Sequence, residues 1–306
     1  MTAPSTPTIH GEHAPHFDRV RDAFARTFAA PTELGAAIAV TVDGRPVVDP
    51  WAGAMDGART KPWQRDTLVT VFSTTKGLTA MCAHRLVDQG LLDLEAPVAR
   101  YWPEFAAAGK EHVLVRSLLD HHAGLAAIRA PLPPAAMFDW DLMTRTLAAE
   151  EPWWVPDTKH GYHAVTFGWL VGEGVRRVSG KTVGAYFREE IAHPLGLDIH
   201  IGMDETNDAR CAEVRPGPRP SGGEETLFER ILKGPRVDAC EGVHEPDHHA
   251  RTRYARVARG GYEHGALGER PRGGALAGST LWGAGERWDG ERYSRAESGI
   301  DTSMSW

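Results

Sequence analysis

Thr67-Leu-Val-Thr-Val-Phe-Ser-Thr-Thr-Lys-Gly-Leu-Thr-Ala80 changes character in its middle. Up to Phe72 it is a mostly β-branched run. Beyond Ser73, Leu78, Met81, Cys82, Leu86 and Val87 fall on one face of a helix, and Gly90 supplies its stop. A helix opening at Ser73 sends the Ser73 and Lys76 side chains out on one face, a turn apart, where they can share a proton. A serine hydroxyl is a poor nucleophile until a base takes its proton, and a lysine serves as that base only where its surroundings favour the neutral amine. The first turn of such a helix also aims free backbone N–H groups at a developing oxyanion. The Ser-x-x-Lys spacing occurs once, but roughly one chance match is expected in a chain of this length, so the flanking sequence must decide.

Upstream, Phe17, Val20, Phe24 and Phe28 recur at helical intervals within 17–30, and Pro31 closes that run. Leu34 to Val42, the turn pair Asp43-Gly44 and the apolar run from Arg45 to Trp51 spell a hairpin. Downstream, further helices are expected at Val115 to His121, Met137 to Glu150, Val165 to Val178 and Thr182 to Ile191, joined by loops rich in Pro and Trp. The middle of the chain therefore reads as mostly helical.

With 306 residues, 42% hydrophobic and 25% charged, the chain can bury a substantial core in one or two lobes. A net charge of -7 offers no basic footprint for a phosphate backbone, so nucleic acid is not an expected partner. No apolar run reaches bilayer-spanning length and the first 16 residues lack the pattern of a secretion signal, so a membrane is not expected either and a cytoplasmic location is. Cys82, Cys211 and Cys240 are odd in number and show no metal-ligand spacing. His121-His122, His160 with His163, and His244 with His248-His249 lack the carboxylate or cysteine backing of a metal site and read as surface or loop histidines. No metal and no organic cofactor is called for. Oligomeric state is not encoded legibly.

Several ordered stretches carry a resemblance. Residues 67–80 resemble the nucleophile region of the β-lactamase-related serine hydrolases, which include class C β-lactamases, D-Ala carboxypeptidases and penicillin-binding-protein-like esterases. Leu91 to Phe105 resembles that family's loop after the nucleophile helix, and Val115 to Leu125 its next helix and Gly-Leu turn. Gly161-Tyr162-His163-Ala164 is similar to its Tyr-containing second motif. Ser179-Gly180-Lys181-Thr182 is not its third motif, because Lys181 and Thr182 open a helix, and the stretch to His193-Pro-Leu-Gly-Leu197 resembles the family's helix and Pro-Leu-Gly turn instead.

The resemblance implies a two-lobed β-lactamase-like α/β fold, an antiparallel sheet flanked by helices beside an all-α lobe, with Ser73 at the seam. On this reading residues 1–16 are a flexible N-terminus and 17–238 the hydrolase domain, split into an α/β part (17–66) and a mostly helical part (67–215). Residues 239–306 are an anomalous tail, disordered or out of frame, too poor in large aliphatics to close a sheet, so the sheet's C-terminal strands are expected to be incomplete. The family's third motif belongs on such a strand and supplies the second oxyanion N–H; Tyr262-Glu263-His264-Gly265 is a poor stand-in because its neighbours lack strand character.

Cleavage of a small ester, or amide, through an acyl-enzyme on Ser73 is the implied activity. Lys76 and Tyr162 are its acid/base pair, and which of them first takes the Ser73 proton stays open. Trp153, Trp154 and His163 are expected to line the substrate site, with core packing an equal alternative for the tryptophans. The family's lactamases carry Asn where this chain has Ala164, which favours an esterase over the alternatives of a β-lactamase or a D-Ala-D-Ala carboxypeptidase. A catalytically impaired, truncated family member is the remaining alternative.

Overall fold

The computed structural model describes residues 6–215. Its first lobe is built on a four-stranded antiparallel sheet. Strand β1 (Ile9–His13) precedes helix α1 (Asp18–Thr27), and β2 (Gly35–Ala37), β3 (Val40–Val42) and β4 (Arg45–Gly53) follow. Strand β4 is central, pairing with β1 on one side and with β2 and β3 on the other. Val48, Pro50 and Ala52 are buried while their neighbours are half-exposed, the period of two that a one-faced strand requires. Asp43 and Gly44 take φ of 49° and 70°, the left-handed pair that a two-residue hairpin turn needs. Phe24 and Phe28 meet edge-on at 5.3 Å and pack with Ala52, Ile9, Ala36 and Ile38 as a small core of their own.

The N-terminal segment corrects an expectation. The sequence leads one to expect a flexible segment over 1–16, yet Ile9 to His13 runs in register against Ala52 to Val48. Ile9 is the only large apolar residue in that strand, so its pairing comes from the β4 backbone rather than from a hydrophobic pattern of its own.

The second lobe is helical: α2 (Thr75–Asp88), α3 (Val115–Leu119), α4 (Trp140–Ala149), α5 (Phe167–Ser179), α6 (Val183–Phe187), a π-helical turn (Arg188–Ala192) and α7 (His193–Leu195). Helices α2 and α5 pack against each other at the centre. Cys82 and Leu86 from α2 and Leu170 and Val175 from α5 belong to one continuous core with Trp102, Phe105, Leu118, Met143, Leu147 and Phe187. Local chemistry sets the boundaries. Asp139 caps α4 by accepting from Leu142 N, which moves that helix's start past the Pro134–Phe138 3-10 turn. Gly180, at φ 72°, ends α5, and the Thr182 hydroxyl then caps α6.

Buried charges pin the loops to this core. Glu173 accepts from Trp140 Nε1, Arg176 and Arg177. Lys110 is fully buried, its Nζ donating to the carbonyls of Ala107, Ala148 and Glu150. The two lobes are joined in the run before Ser73: Leu68 N donates to Arg210 O and Leu68 O accepts from Ala212 N, while Glu213 N reaches Met55 O. The Arg210 guanidinium spans Asp66 O and the Asp198 carboxylate. Residues 195–215 therefore act as a latch on the approach to Ser73.

The tail at 239–306, with the Tyr262–Gly265 stretch, lies outside the described residues. Among the described residues no helix is long and apolar enough to cross a membrane.

The Lys110 pin has a measurable weight. Lys110→Met keeps the apolar stem but leaves three carbonyls without their donor, each worth about 1–3 kcal/mol when buried. Urea denaturation is expected to show a loss of at least about 3 kcal/mol; a loss under about 0.5 kcal/mol would assign those carbonyls to water instead.

Candidate active site

The extended run through Leu68 turns sharply before α2. Phe72 takes φ 46°, a conformation rare for a bulky side chain, and costs about 1–3 kcal/mol that the surrounding structure must offset. Ser73 follows on a 3-10 turn, Phe72–Thr74, that runs directly into α2. Sequence reasoning started the α-helix at Ser73; the tighter turn takes its place, and Lys76 lies in the first α-helical turn. Its Nζ is 3.1 Å from Ser73 Oγ.

The same amine donates to Ala164 O at 2.8 Å and sits 4.8 Å from the centre of the Tyr162 ring and 5.9 Å from that of Phe167. Tyr162 is 39% exposed and Ser73 is exposed, so the meeting point of the three side chains is open to solute. Ser73, Lys76 and Tyr162 are brought together from two segments remote in sequence.

The loop carrying Tyr162 is zipped to the turn after α3. Trp153 N donates to Gly124 O, Asp157 N to His122 O and Gly161 N to His121 O. The Thr166 hydroxyl donates to Leu125 O at 2.6 Å. His163 bridges the same two segments from beneath: its Nε2 accepts from Leu125 N at 2.9 Å, and its Nδ1 lies 2.6 Å from Gly161 O. Since Nε2 accepts, the ring proton is on Nδ1 and Gly161 O receives it. Burial pushes the His163 imidazole down to about 3. His121, half-buried, is pushed down to about 4, by burial first and then by the neighbouring His160 and the Lys76 charge.

Residues 22–235 match the family model described as Beta-lactamase. The chain belongs to the β-lactamase family. Over 208 residues it is 44% identical to Esterase/beta-lactamase LipL of Mycobacterium tuberculosis, which covers 67% of this chain and 48% of that protein. It spans about half the length of the curated relatives it matches most strongly. A penicillin-binding protein homolog from Caulobacter crescentus superposes with a TM-score of 0.71 at 36% identity, over 90% of this chain and 68% of that one. A family VIII carboxylesterase does so with a TM-score of 0.69 at 37% identity, over the same shares. The two-lobed β-lactamase-like fold is thereby established.

Within this family fold, the three further residues expected at the substrate site are all buried. His163 is 0% exposed and both its ring nitrogens are engaged by backbone, leaving no polar atom for a ligand. Trp153 packs with Ala127, donates its Nε1 to Ala127 O and carries the Arg129 guanidinium 4.1 Å above its ring. Trp154 lies under the Tyr162 loop: a Cβ added at Gly161 would come within 2.3 Å of its indole. These side chains form the floor of the site rather than its wall. His121 escaped sequence reasoning as a site residue, being read as a surface or loop histidine. Its ring centre is 5.0 Å from that of Tyr162 and 5.4 Å from that of His163. The signal is its place two residues past α3, just before the Gly124 turn.

The histidine floor makes stability depend on pH. Both rings have folded pKa values below the ordinary 6.5, so the unfolded chain binds protons that the native state refuses. Their stabilising contribution is complete above about 6.5 and is lost as pH falls towards 4 and below. The urea midpoint is expected to decline between pH 7 and 4.5, with a shallower slope in His163→Gln; a midpoint flat across that range would contradict the assignment.

Proposed function

We propose that this protein hydrolyses small esters through an acyl-enzyme on Ser73. The observation that carries the reading is the 3.1 Å separation of Lys76 Nζ and Ser73 Oγ, with the amine steadied by Ala164 O. Ser73 Oγ attacks the ester carbonyl carbon as its proton passes to the Lys76–Tyr162 pair. Negative charge gathers on the carbonyl oxygen, and the Ser73 N–H at the helix opening is placed to receive it. The pair returns the proton to the departing alkoxide, leaving an alcohol and an acyl-serine. A water then loses a proton to the same pair, attacks the acyl carbon and releases the acid and free Ser73. No cofactor enters these steps. The Lys76 amine lies 4.8 Å from the centre of the Tyr162 ring, close enough for the two residues to serve the same proton transfer.

Ala164 supports an ester over a lactam substrate: it carries no side-chain amide to orient one. The name of the Mycobacterium tuberculosis relative joins esterase to β-lactamase, so a chromogenic cephalosporin is the natural comparison substrate. The family's third motif, which would supply a second oxyanion donor, has no clean counterpart in the sequence of 239–306, and loss of one such donor lowers the rate about 100- to 1000-fold.

A short-chain nitrophenyl ester is expected to be turned over faster than the cephalosporin, and a fluorophosphonate to add one adduct mass to the intact protein. Ser73→Ala should remove the adduct and lower kcat by at least about 1000-fold. Lys76→Ala is expected to match it, and Tyr162→Phe to cost about 100-fold. A folded protein that takes no adduct would overturn the hydrolase reading in favour of a binding-only family member.

A further inference from the structure

The tetrapeptide Gly161–Ala164 presents both the Tyr162 ring and the carbonyl that holds Lys76, so whatever fixes its backbone fixes the base. Two histidines account for most of its hydrogen bonds. His121 O accepts from Gly161 N at 3.2 Å, and His121 Nδ1 accepts from His163 N at 3.1 Å. The His163 ring returns to Gly161 O at 2.6 Å and ties the whole to Leu125 N at 2.9 Å. Ala164 N closes onto Tyr162 O at 3.0 Å, leaving Ala164 O facing Lys76 Nζ. His121 also lies against the Tyr162 and Phe167 rings, at 5.0 and 5.2 Å between centres.

We propose that His121 and His163 are positioning residues which, through the Gly161–Ala164 backbone, hold Tyr162 and the Lys76 amine in reacting geometry at Ser73. The inference rests on the hydrolase reading above. Neither ring touches the reacting atoms: His163 is fully buried, and the one polar contact His121's ring makes in this network is to a backbone N–H. Both must be neutral to work, because a protonated His163 Nε2 could not accept from Leu125 N, nor a protonated His121 Nδ1 from His163 N. Their depressed basicity keeps them neutral in the range where the esterase would operate. A cluster of histidines beside a hydrolytic serine invites a metal or a second general base. Here the hydrogen bonds run to backbone, which is the signature of a brace.

His121 offers a test in which folding and positioning separate. Its φ of 67° lies in the left-handed region, where Gly and Asn are the favoured residues. His121→Gly and His121→Asn thus both suit the backbone, but only the Asn side-chain oxygen can accept from His163 N. In the full-length chain, with unfolding midpoints measured in parallel, His121→Gly is expected to lower kcat for the nitrophenyl ester about 100-fold with KM within threefold. His121→Asn should recover at least tenfold of that loss.

If His121→Gly does not fold, His121→Leu replaces it as the acceptor-free partner in the same comparison. Two variants within threefold of wild-type kcat would overturn the positioning role, as would two equally slow ones, which would indicate ring packing alone. A wild-type chain that neither cleaves ester nor takes up fluorophosphonate sinks the hydrolase reading and this one with it. Full wild-type turnover beside an unimpaired His121→Gly sinks only this one.

Discussion

The Lys76 amine is the joint on which the site depends. A lysine side chain has four rotatable bonds, and freezing it forfeits up to about 2 kcal/mol of rotamer freedom. The Ala164 carbonyl, 88 positions along the chain, and the faces of Tyr162 and Phe167 supply what offsets that loss. A hydrogen bond donated by the amine contributes about 0.5–1.5 kcal/mol, and packing against the two rings adds to it. The balance is near even or slightly favourable, so Lys76 stays ordered beside Ser73 only while the 161–167 segment stays in place. The base is therefore a tertiary construction, although Ser73 and Lys76 are only three residues apart.

That dependence explains how the helical lobe is built around the site. The 3-10 turn that leads into α2 carries Ser73, the first turn of α2 carries Lys76, and α5 begins three residues after Ala164. The packing of α2 against α5 at the centre of the core brings the segment with Ser73 next to the Tyr162 loop. Orientation is then set at the other end, where the loop is zipped to the turn at 121–125. The sheet lobe enters through the latch, which holds Leu68 between Arg210 and Ala212 and so fixes the run leading to the strained Phe72.

Much of this was written locally and could be read. The hairpin declares itself in Asp43-Gly44 because that turn demands two left-handed residues, a local requirement. Helical period places Cys82 and Leu86 on the buried face of α2 as expected, but it also puts Met81 there, which is 45% exposed, and it starts the helix at Ser73, which a 3-10 turn holds instead. Strand β1 could not be read, because an edge strand with one large apolar residue borrows its order from its neighbour. The histidine floor was equally hidden. Sequence shows four histidines without metal-ligand spacing, and their role depends on hydrogen bonds between segments about 40 residues apart. Trp153 and Trp154 mislead for a related reason: an aromatic pair near a motif has the same composition whether it faces a ligand or supports the loop that does.

The brace and the tether together separate two demands on the second motif. Lys76 is held by a main-chain carbonyl, and a carbonyl is present whatever side chain stands at 164. The rings that shape the backbone there belong to residues 121 and 163, and His121 Nδ1 and both His163 ring nitrogens are engaged by backbone groups. Position 164 is therefore released from proton transfer, and its side chain is free to answer only to the substrate. An alanine there leaves space and no donor beside the base, which suits a flexible ester that needs little orientation beyond its carbonyl. A rigid bicyclic amide must be gripped on its side chain as well, and neither the tether nor the brace offers a group to do so. Under the ester-hydrolase reading proposed above, the side chain at 164 is thus separable from the carbonyl tether that holds Lys76.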